Sequence, residues 1–484
     1  MNRYRDLLYK RGFLFTDIIN PSFKDEDSEF IFQTWCCLTI GKYKFFYDPI
    51  IPIGIAKDKN NMILIAGMVL NPFDSNIDSN EISRILLSYK NSSNLKFIEY
   101  LNKLSGRFVI IYKNNDNIEI YGDACSTRTI FYDRYDNNTV VSSHAALIAN
   151  LLDYEISPEC NYFYYNRNYQ EAVMKKLPGL ITPYDGVYIL TPNTRLLLPS
   201  RKVERFFPYK DNVPCKDYFE LEDELSKLLT MQLKLLSGKA KISMSLTSGI
   251  DSRLSLAASK KISKDIEYFT YVSKSNIHIE DVKIARKICS DFNLNHKIYQ
   301  WDNTMYSDGM NEFDDIWEKN LGIRKGIKWL NKIYADSYPK NRIHIRSNIA
   351  EIVKAESGHF ENSGFCASQL ANLFTTTSMN KDEKVIRKFE EFINITGFSP
   401  ENLYNYDYSD LFEWEYRMCQ WHSLLLLESD MSHDTFLIYN NRDILCKMLS
   451  LPYKDRLKRK IFIGIIKRKW PELLKYPVNN KMLT

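Results

Sequence analysis

The stretch SMSLTSGIDSRLSL, Ser243–Leu256, decides how the rest of the chain is read. An apolar strand over Ile242–Leu246 runs into Thr247-Ser248-Gly249-Ile250-Asp251-Ser252 and then directly into a helix over Ser252–Ser259. A turn of this kind aims successive backbone N–H groups and the positive end of a helix dipole at one spot, which suits an anion. Gly249 lets the backbone approach a ligand closely because it has no Cβ. Thr247, Ser248 and Ser252 add hydroxyl donors, and Asp251 is placed to hold magnesium against phosphate oxygens. The same six residues also suit an ordinary strand–helix turn with Asp251 or Ser252 as the N-cap. Taken alone, they leave both readings open.

Working outward, Ile266–Val272 predicts a strand and Glu280–Phe292 a helix with Val282, Ala285, Ile288 and Phe292 on one face. Lys297–Trp301 predicts a further strand. This alternation predicts an α/β fold with a doubly wound parallel sheet, whose strand carboxyl ends are where such sheets bind ligands. Upstream, Tyr218–Leu236 carries Phe219, Leu221, Leu225, Leu228, Leu229 and Leu233 at helical spacing. Before Pro208–Pro214 the character differs. Phe108–Tyr112, Ile118–Tyr121, Thr129–Tyr132, Thr139–Ser143, Gly186–Leu190 and Thr194–Leu198 are β-branched or aromatic runs separated by turn residues, which predicts antiparallel sheets. Beyond Ser347 the chain reads as mostly helical and ends in a basic, aromatic segment. Two domains, 1–209 and 210–484, are expected.

The composition of the 484 residues narrows the function classes. Lys+Arg exceeds Asp+Glu by only 65 to 60, too little to point to a nucleic-acid partner. No apolar run approaches the roughly 20 residues of a bilayer-spanning helix, so no membrane partner is expected. Charges interrupt the N-terminal segment where a signal peptide needs its apolar core. Nine cysteines with no CxxC pair read as reduced thiols of a cytoplasmic protein. His144, His296 and His422 form no ligand-spaced pair, and each reads as a bonded or surface histidine rather than a zinc ligand. With 32 tyrosines the chain is aromatic-rich, which reads as packing rather than a base-stacking platform.

The segment TSGIDS resembles the pyrophosphate-binding loop, Ser-Gly-Gly-x-Asp-Ser, of the asparagine synthetase family. The resemblance extends along most of the chain. Gly106-Arg107-Phe108, Tyr121-Gly122-Asp123 and Arg128–Tyr132 are similar to the family's N-terminal glutaminase-like domain, an αββα sandwich of the Ntn type. LPGLITPYDGVYILTPN and Arg205–Pro208 resemble its passage into the synthetase domain. Ile345–Val353 falls where the family carries a second acidic loop, and EWEYRMCQW falls where it carries a Glu-x-Arg helix. The resemblance implies an ATP-pyrophosphatase-type domain that activates a carboxylate as an acyl-adenylate for attack by an amine. It carries nucleotide contacts onto Leu246, Thr247, Ser248, Gly249, Asp251, Ser252 and Val272, and magnesium onto Asp251 and Glu351.

Three departures from the family pattern matter. Asn2 stands where glutaminases place a nucleophilic cysteine, and the first cysteines are Cys36 and Cys37. The amine is therefore expected from elsewhere, as in β-lactam synthetases and lasso-peptide cyclases. Ser248 replaces the first loop glycine, and Ala350 replaces a metal-binding aspartate next to Glu351. The resemblance further implies catalytic roles for Glu351, for Glu415 as the group that deprotonates the amine, and for Lys460 (or Lys458) as the cation at the departing pyrophosphate. An ion pair of Arg417 with Glu413, and a solvated basic face over Lys454–Lys469, are the plain alternatives. The function so implied is ATP- and Mg²⁺-dependent amide-bond formation on a small-molecule, peptide or glycan-precursor substrate, with homo-oligomerisation left open. A non-catalytic nucleotide-binding or scaffold protein is the other reading.

Overall fold

The computed structural model describes residues 2–135, 137–171, 176–273, 279–301, 310–321, 332, 335–336, 341–359, 364–479 and 481–482. The first two hundred residues build two six-stranded antiparallel sheets. One runs, in spatial order, through Val187–Ile189, Phe131–Asp133, Val140–Ser142, Phe13–Thr16, Tyr43–Tyr47 and Cys36–Ile40. The other runs through Lys202–Arg205, Thr194–Leu198, Asn117–Gly122, Ser105–Asn114, Asn61–Leu70 and Ile53–Lys57.

The pleat explains the layering, because successive side chains point to opposite faces. Along Phe13–Thr16, Phe13 and Phe15 enter the main core that the second sheet shares, whereas Leu14 enters a separate core. Helix Ala145–Leu152 supplies Ala145, Leu147 and Ile148 to that separate core. Helix Ser79–Ser92 lays Ile82 and Leu86 on the second sheet. The layers are helix, sheet, sheet, helix. Strand Phe13–Thr16 is buried at every position because both its faces are covered.

The second half holds a five-stranded sheet in which every pairing is parallel. Its order is His296–Trp301, Glu267–Ser273, Lys241–Ser245, Arg342–Arg346 and Thr435–Leu437. The strand that leads into TSGIDS is thus the central one, and chain progression reverses direction on either side of it. Helix Tyr218–Ser237 forms as its periodicity predicts, with one correction. Phe219 is 71% exposed rather than on the buried stripe, and the Arg468 guanidinium covers its ring at 4.1 Å. It sits in the first turn, before the helix reaches the sheet. No helix among the described residues is long and apolar enough to cross a membrane.

The two halves share one core. Residues from Phe13 to Leu198 and from Leu221 to Val478 belong to the same contiguous cluster. The seam is polar in places. Arg107 makes a two-pronged pair with Asp430 at 2.7 and 2.8 Å. Gly106 adopts φ +127°, which aims its carbonyl at the Asn440 amide; a Cβ there would strike the Met68 carbonyl.

Helix Tyr408–Phe412 continues into Glu413–His422 as a wide π-helix and then into Ser423–Asp430. The wide turns serve a segment buried on nearly every side. Trp414 Nε1 donates to the Ala124 carbonyl, the Tyr416 hydroxyl to Leu177, and the Gln420 amide to Gly179 and Ile181.

Candidate functional site

At the carboxyl end of the central strand, Leu246–Gly249 turns into helix Ile250–Ala258. Leu246 is wholly buried and fixed to the neighbouring strand, its N–H donating to Phe269 and its carbonyl accepting from the Thr270 hydroxyl at 2.7 Å. Val272 lies buried on that neighbouring strand. Thr247 and Ser252 bond each other, hydroxyl to hydroxyl at 3.0 Å, and the Thr247 N–H donates to Ser252 Oγ. Gly249 sits at the N-cap and supplies no side-chain cap, so the first N–H groups of the helix face the turn without one. Neither Asp251 nor Ser252 takes the capping place that a plain turn would give them.

Ser248 has become part of the scaffold. Its N–H and its hydroxyl both donate to Asp281 Oδ1, at 2.8 and 2.6 Å. Its carbonyl accepts from Arg253, a fully buried guanidinium that also holds the carbonyls of Tyr476 and Pro477. The chain between Tyr476 and Asn479 is thereby pinned against the turn.

The acidic pair expected from sequence comes together here. Glu351 lies in the short 3₁₀ turn Ala350–Val353, which follows Ile349 at φ +80°. That value is a genuine outlier for a β-branched residue. Asp251 Oδ1 and Glu351 Oε2 are both buried and neither has a hydrogen-bond partner. The other Asp251 oxygen accepts from Lys354 Nζ at 2.9 Å. Burial lifts the Asp251 carboxyl above its ordinary value; Lys354 pulls it back and Glu351 adds to the rise. Burial also works against the Lys354 ammonium, but Asp251 and Glu351 outweigh it and hold that group above its ordinary value. Among the described residues no group of three or more His, Cys, Asp or Glu side chains gathers as a metal site. Two carboxylates with bare oxygens nevertheless suit magnesium, which takes one or two carboxylates and completes its shell with phosphate and water.

Two expected catalytic residues stand elsewhere. Glu415 is fully buried and spoken for: it takes two bonds from Arg205, at 2.6 and 2.8 Å, and one from the Asn193 amide at 3.0 Å. It closes the seam between the halves, with both carboxylate oxygens already bonded. Arg417 pairs with Glu413 four residues before it, as the plain reading allowed. Lys460 is half exposed and bonded to Asp455 at 2.5 Å, at the start of helix Lys460–Lys469. Its neighbour Arg459 turns the other way, donating to the Lys354 carbonyl and pairing with Glu356. The basic segment therefore touches the stretch that carries Lys354 through Arg459, by the Lys354 carbonyl and the Glu356 carboxylate.

Several features had no signal in the sequence. Lys354 follows Glu351 by three residues, a spacing with no motif value. A cleft of about 410 Å³ is lined by His359, paired to Asp407, and by Arg456, which grips Asp410 at 2.6 and 3.0 Å; none of its lining residues comes from the turn or from Glu351–Lys354. His344 and His433 meet ring to ring at 3.2 Å, both held neutral by burial first and neighbouring charges second. Of the three histidines singled out earlier, His144 bonds Ser143 and His296 bonds Thr270. His422 is buried with neither ring nitrogen bonded, unlike the bonded or surface histidine expected.

No protein-family model matches the chain, and no curated protein matches it. Among solved structures it is similar to an NMN synthetase from Francisella tularensis, 14% identical over 39% of this chain and 74% of that one, with a TM-score of 0.19. It is also similar to the glutamine phosphoribosylpyrophosphate amidotransferase of B. subtilis, 9% identical over 73% and 72%, with a TM-score of 0.23. An NH₃-dependent NAD synthetase from Campylobacter jejuni is 14% identical over 39% of this chain and 91% of that one, with a TM-score of 0.20. At these TM-scores the likenesses carry no argument about fold or chemistry, which stand on the chain's own residues.

Proposed function

We propose that the chain is an ATP-dependent synthetase that forms an amide bond by way of an acyl-adenylate, releasing AMP and pyrophosphate. The observation that carries this reading is the pairing of an uncapped helix N-terminus with two buried, bare carboxylate oxygens at the end of the central parallel strand. The first attracts phosphate oxygens; the second requires a cation that phosphate would share.

In this reading the turn Thr247–Ser252 cradles the phosphates, and Leu246 and Val272 line the way to the base. Magnesium, when bound by Asp251 and Glu351, supplies charge neutralisation at the bridging phosphate. Lys354 and the helix N-terminus stabilise the negative charge that builds on the departing pyrophosphate. The amine-bearing substrate, a small molecule, peptide or glycan precursor, enters through the cleft lined by His359, Asp407 and Tyr453. His359, paired with Asp407, takes the proton that was expected to go to Glu415.

Exchange of labelled pyrophosphate into ATP tests the proposal. It should appear only with a suitable carboxylate and vanish in Asp251→Ala. Absence of Mg-ATP binding by calorimetry would remove the nucleotide altogether. A second reading, a nucleotide-binding scaffold without turnover, is favoured by Ala350 and by the Asp281 clamp on Ser248. Nucleotide binding without exchange against the carboxylates of the neighbouring genes' pathway would select it.

A further inference from the structure

Lys354 stands where a metal-assisted site of this shape would gain another cation. Its ammonium lies 2.9 Å from Asp251 Oδ2 and its side chain is only 10% exposed. Glu356 approaches it at 4.0 Å and is itself held by Arg459, which also bonds the Lys354 carbonyl. Ala350 brings no carboxylate to the turn. A divalent ion approaching Asp251 Oδ1 and Glu351 Oε2 would therefore meet two carboxylates already half neutralised, with an ammonium inside strong Coulomb range.

We propose that Lys354 is a resident counter-cation that takes the place of one divalent metal, so that the turn accepts a polyphosphate with a single magnesium and binds free metal weakly. The polyphosphate half of this statement rests on the nucleotide reading above; the metal half does not. An ammonium carries three N–H donors, and Asp251 uses one of them. The remaining donors are free to turn toward phosphate oxygens, so Lys354 can bind the leaving group as well as neutralise the acids beneath it. This also accounts for the loss of the second-loop aspartate: with a lysine in the cluster, another carboxylate is not needed to recruit a second metal.

Titration with Mn²⁺ alone, read by electron paramagnetic resonance on the full chain, tests the metal half without any nucleotide. The wild type should bind Mn²⁺ weakly and Lys354→Met more tightly by about tenfold, because an adjacent positive charge has been removed. That gain should disappear when Asp251→Asn is added. Lys354→Arg keeps the charge and should keep the wild-type affinity, which separates a charge effect from collapse of the turn. Equal Mn²⁺ affinity in wild type and Lys354→Met, or a gain that persists without Asp251, overturns the proposal. A fluorescent trinitrophenyl-ATP supplied with one equivalent of magnesium then tests the other half: the wild type should bind it and Lys354→Met should not. If neither binds it while the Mn²⁺ shift stands, the nucleotide reading falls and the counter-cation remains.

Discussion

Two buried acidic centres, one at this molecule's seam and one at the turn after the central strand, are built in opposite ways. At the seam, Glu415 is fully buried, and Arg205 and Asn193 spend three donors on its two oxygens. At the turn, Asp251 and Glu351 each keep one buried oxygen with nothing bonded to it. A buried carboxylate without partners costs several kcal/mol unless something compensates it. The seam is compensated internally and does not depend on a ligand. Among the described residues, the hydrogen bond that compensates the turn comes from Lys354, on one oxygen of Asp251. Carboxylates thus act as a clamp in one region and keep unbonded buried oxygens in the other.

The largest expected effect comes from breaking the clamp. Glu415→Ala leaves the Arg205 guanidinium buried without its partner and should lower stability by about 3–5 kcal/mol in urea unfolding. A loss under about 1 kcal/mol would mean that the pair is no clamp, and Glu415 would return as a candidate for the chemistry. At the turn the same kind of change should act on binding rather than folding. Asp251→Asn should weaken Mg-ATP by at least about tenfold in calorimetry while moving stability by no more than about 1 kcal/mol. If it destabilises as Glu415→Ala does, the contrast between the regions fails.

A fourth carboxylate lies between these extremes and sharpens the comparison through pH. Asp410 is gripped by Arg456, yet burial dominates and pushes its carboxyl up from the usual 3.8 to about 6. Between those values the folded chain binds more protons than the unfolded one, so this group's contribution to stability falls as pH rises. The Asp407 charge adds to the Asp410 rise and His359 opposes it. The Asp410→Asn variant should flatten the dependence of the urea midpoint between about pH 4 and 6. An unchanged slope would place the titration elsewhere. The smallest effect is expected at Lys460, whose half-exposed ammonium is paired with Asp455. Lys460→Met should leave Mg-ATP affinity within about twofold, since exposed pairs contribute little. A large loss would put the basic segment's cation back at Lys460 in place of Arg459 and Lys354.

Much of the fold was legible in order along the chain because the forces that set it are local. The turn residues between β-branched runs and the alternation of strand and helix after Tyr218 reflect periodicities of two and 3.6, which a sequence displays directly. The strand–turn–helix around Thr247–Ser252 was legible for the same reason: the turn and the start of its helix lie within six consecutive residues. Phe219 misled because spacing alone does not say where along a helix the burial begins; its ring meets Arg468 instead of the core. Glu415 misled because its partner Arg205 is 210 residues away.

What the amino-acid sequence determined by itself, then, is the succession of elements and the chemistry packed into single segments. Backbone hydrogen bonding and side-chain burial act over a few residues there, so composition and spacing are enough. Only the tertiary structure decided which carboxylates are clamps and which are open. It brought Lys354 to Asp251 across 103 positions and His344 to His433 across 89. It also turned Lys460 outward and Arg459 inward at adjacent positions. The physical reason is that the energy of a charge depends on its desolvation and on the partner that meets it, and both are set by contacts between segments that carry no trace of each other in their local sequence.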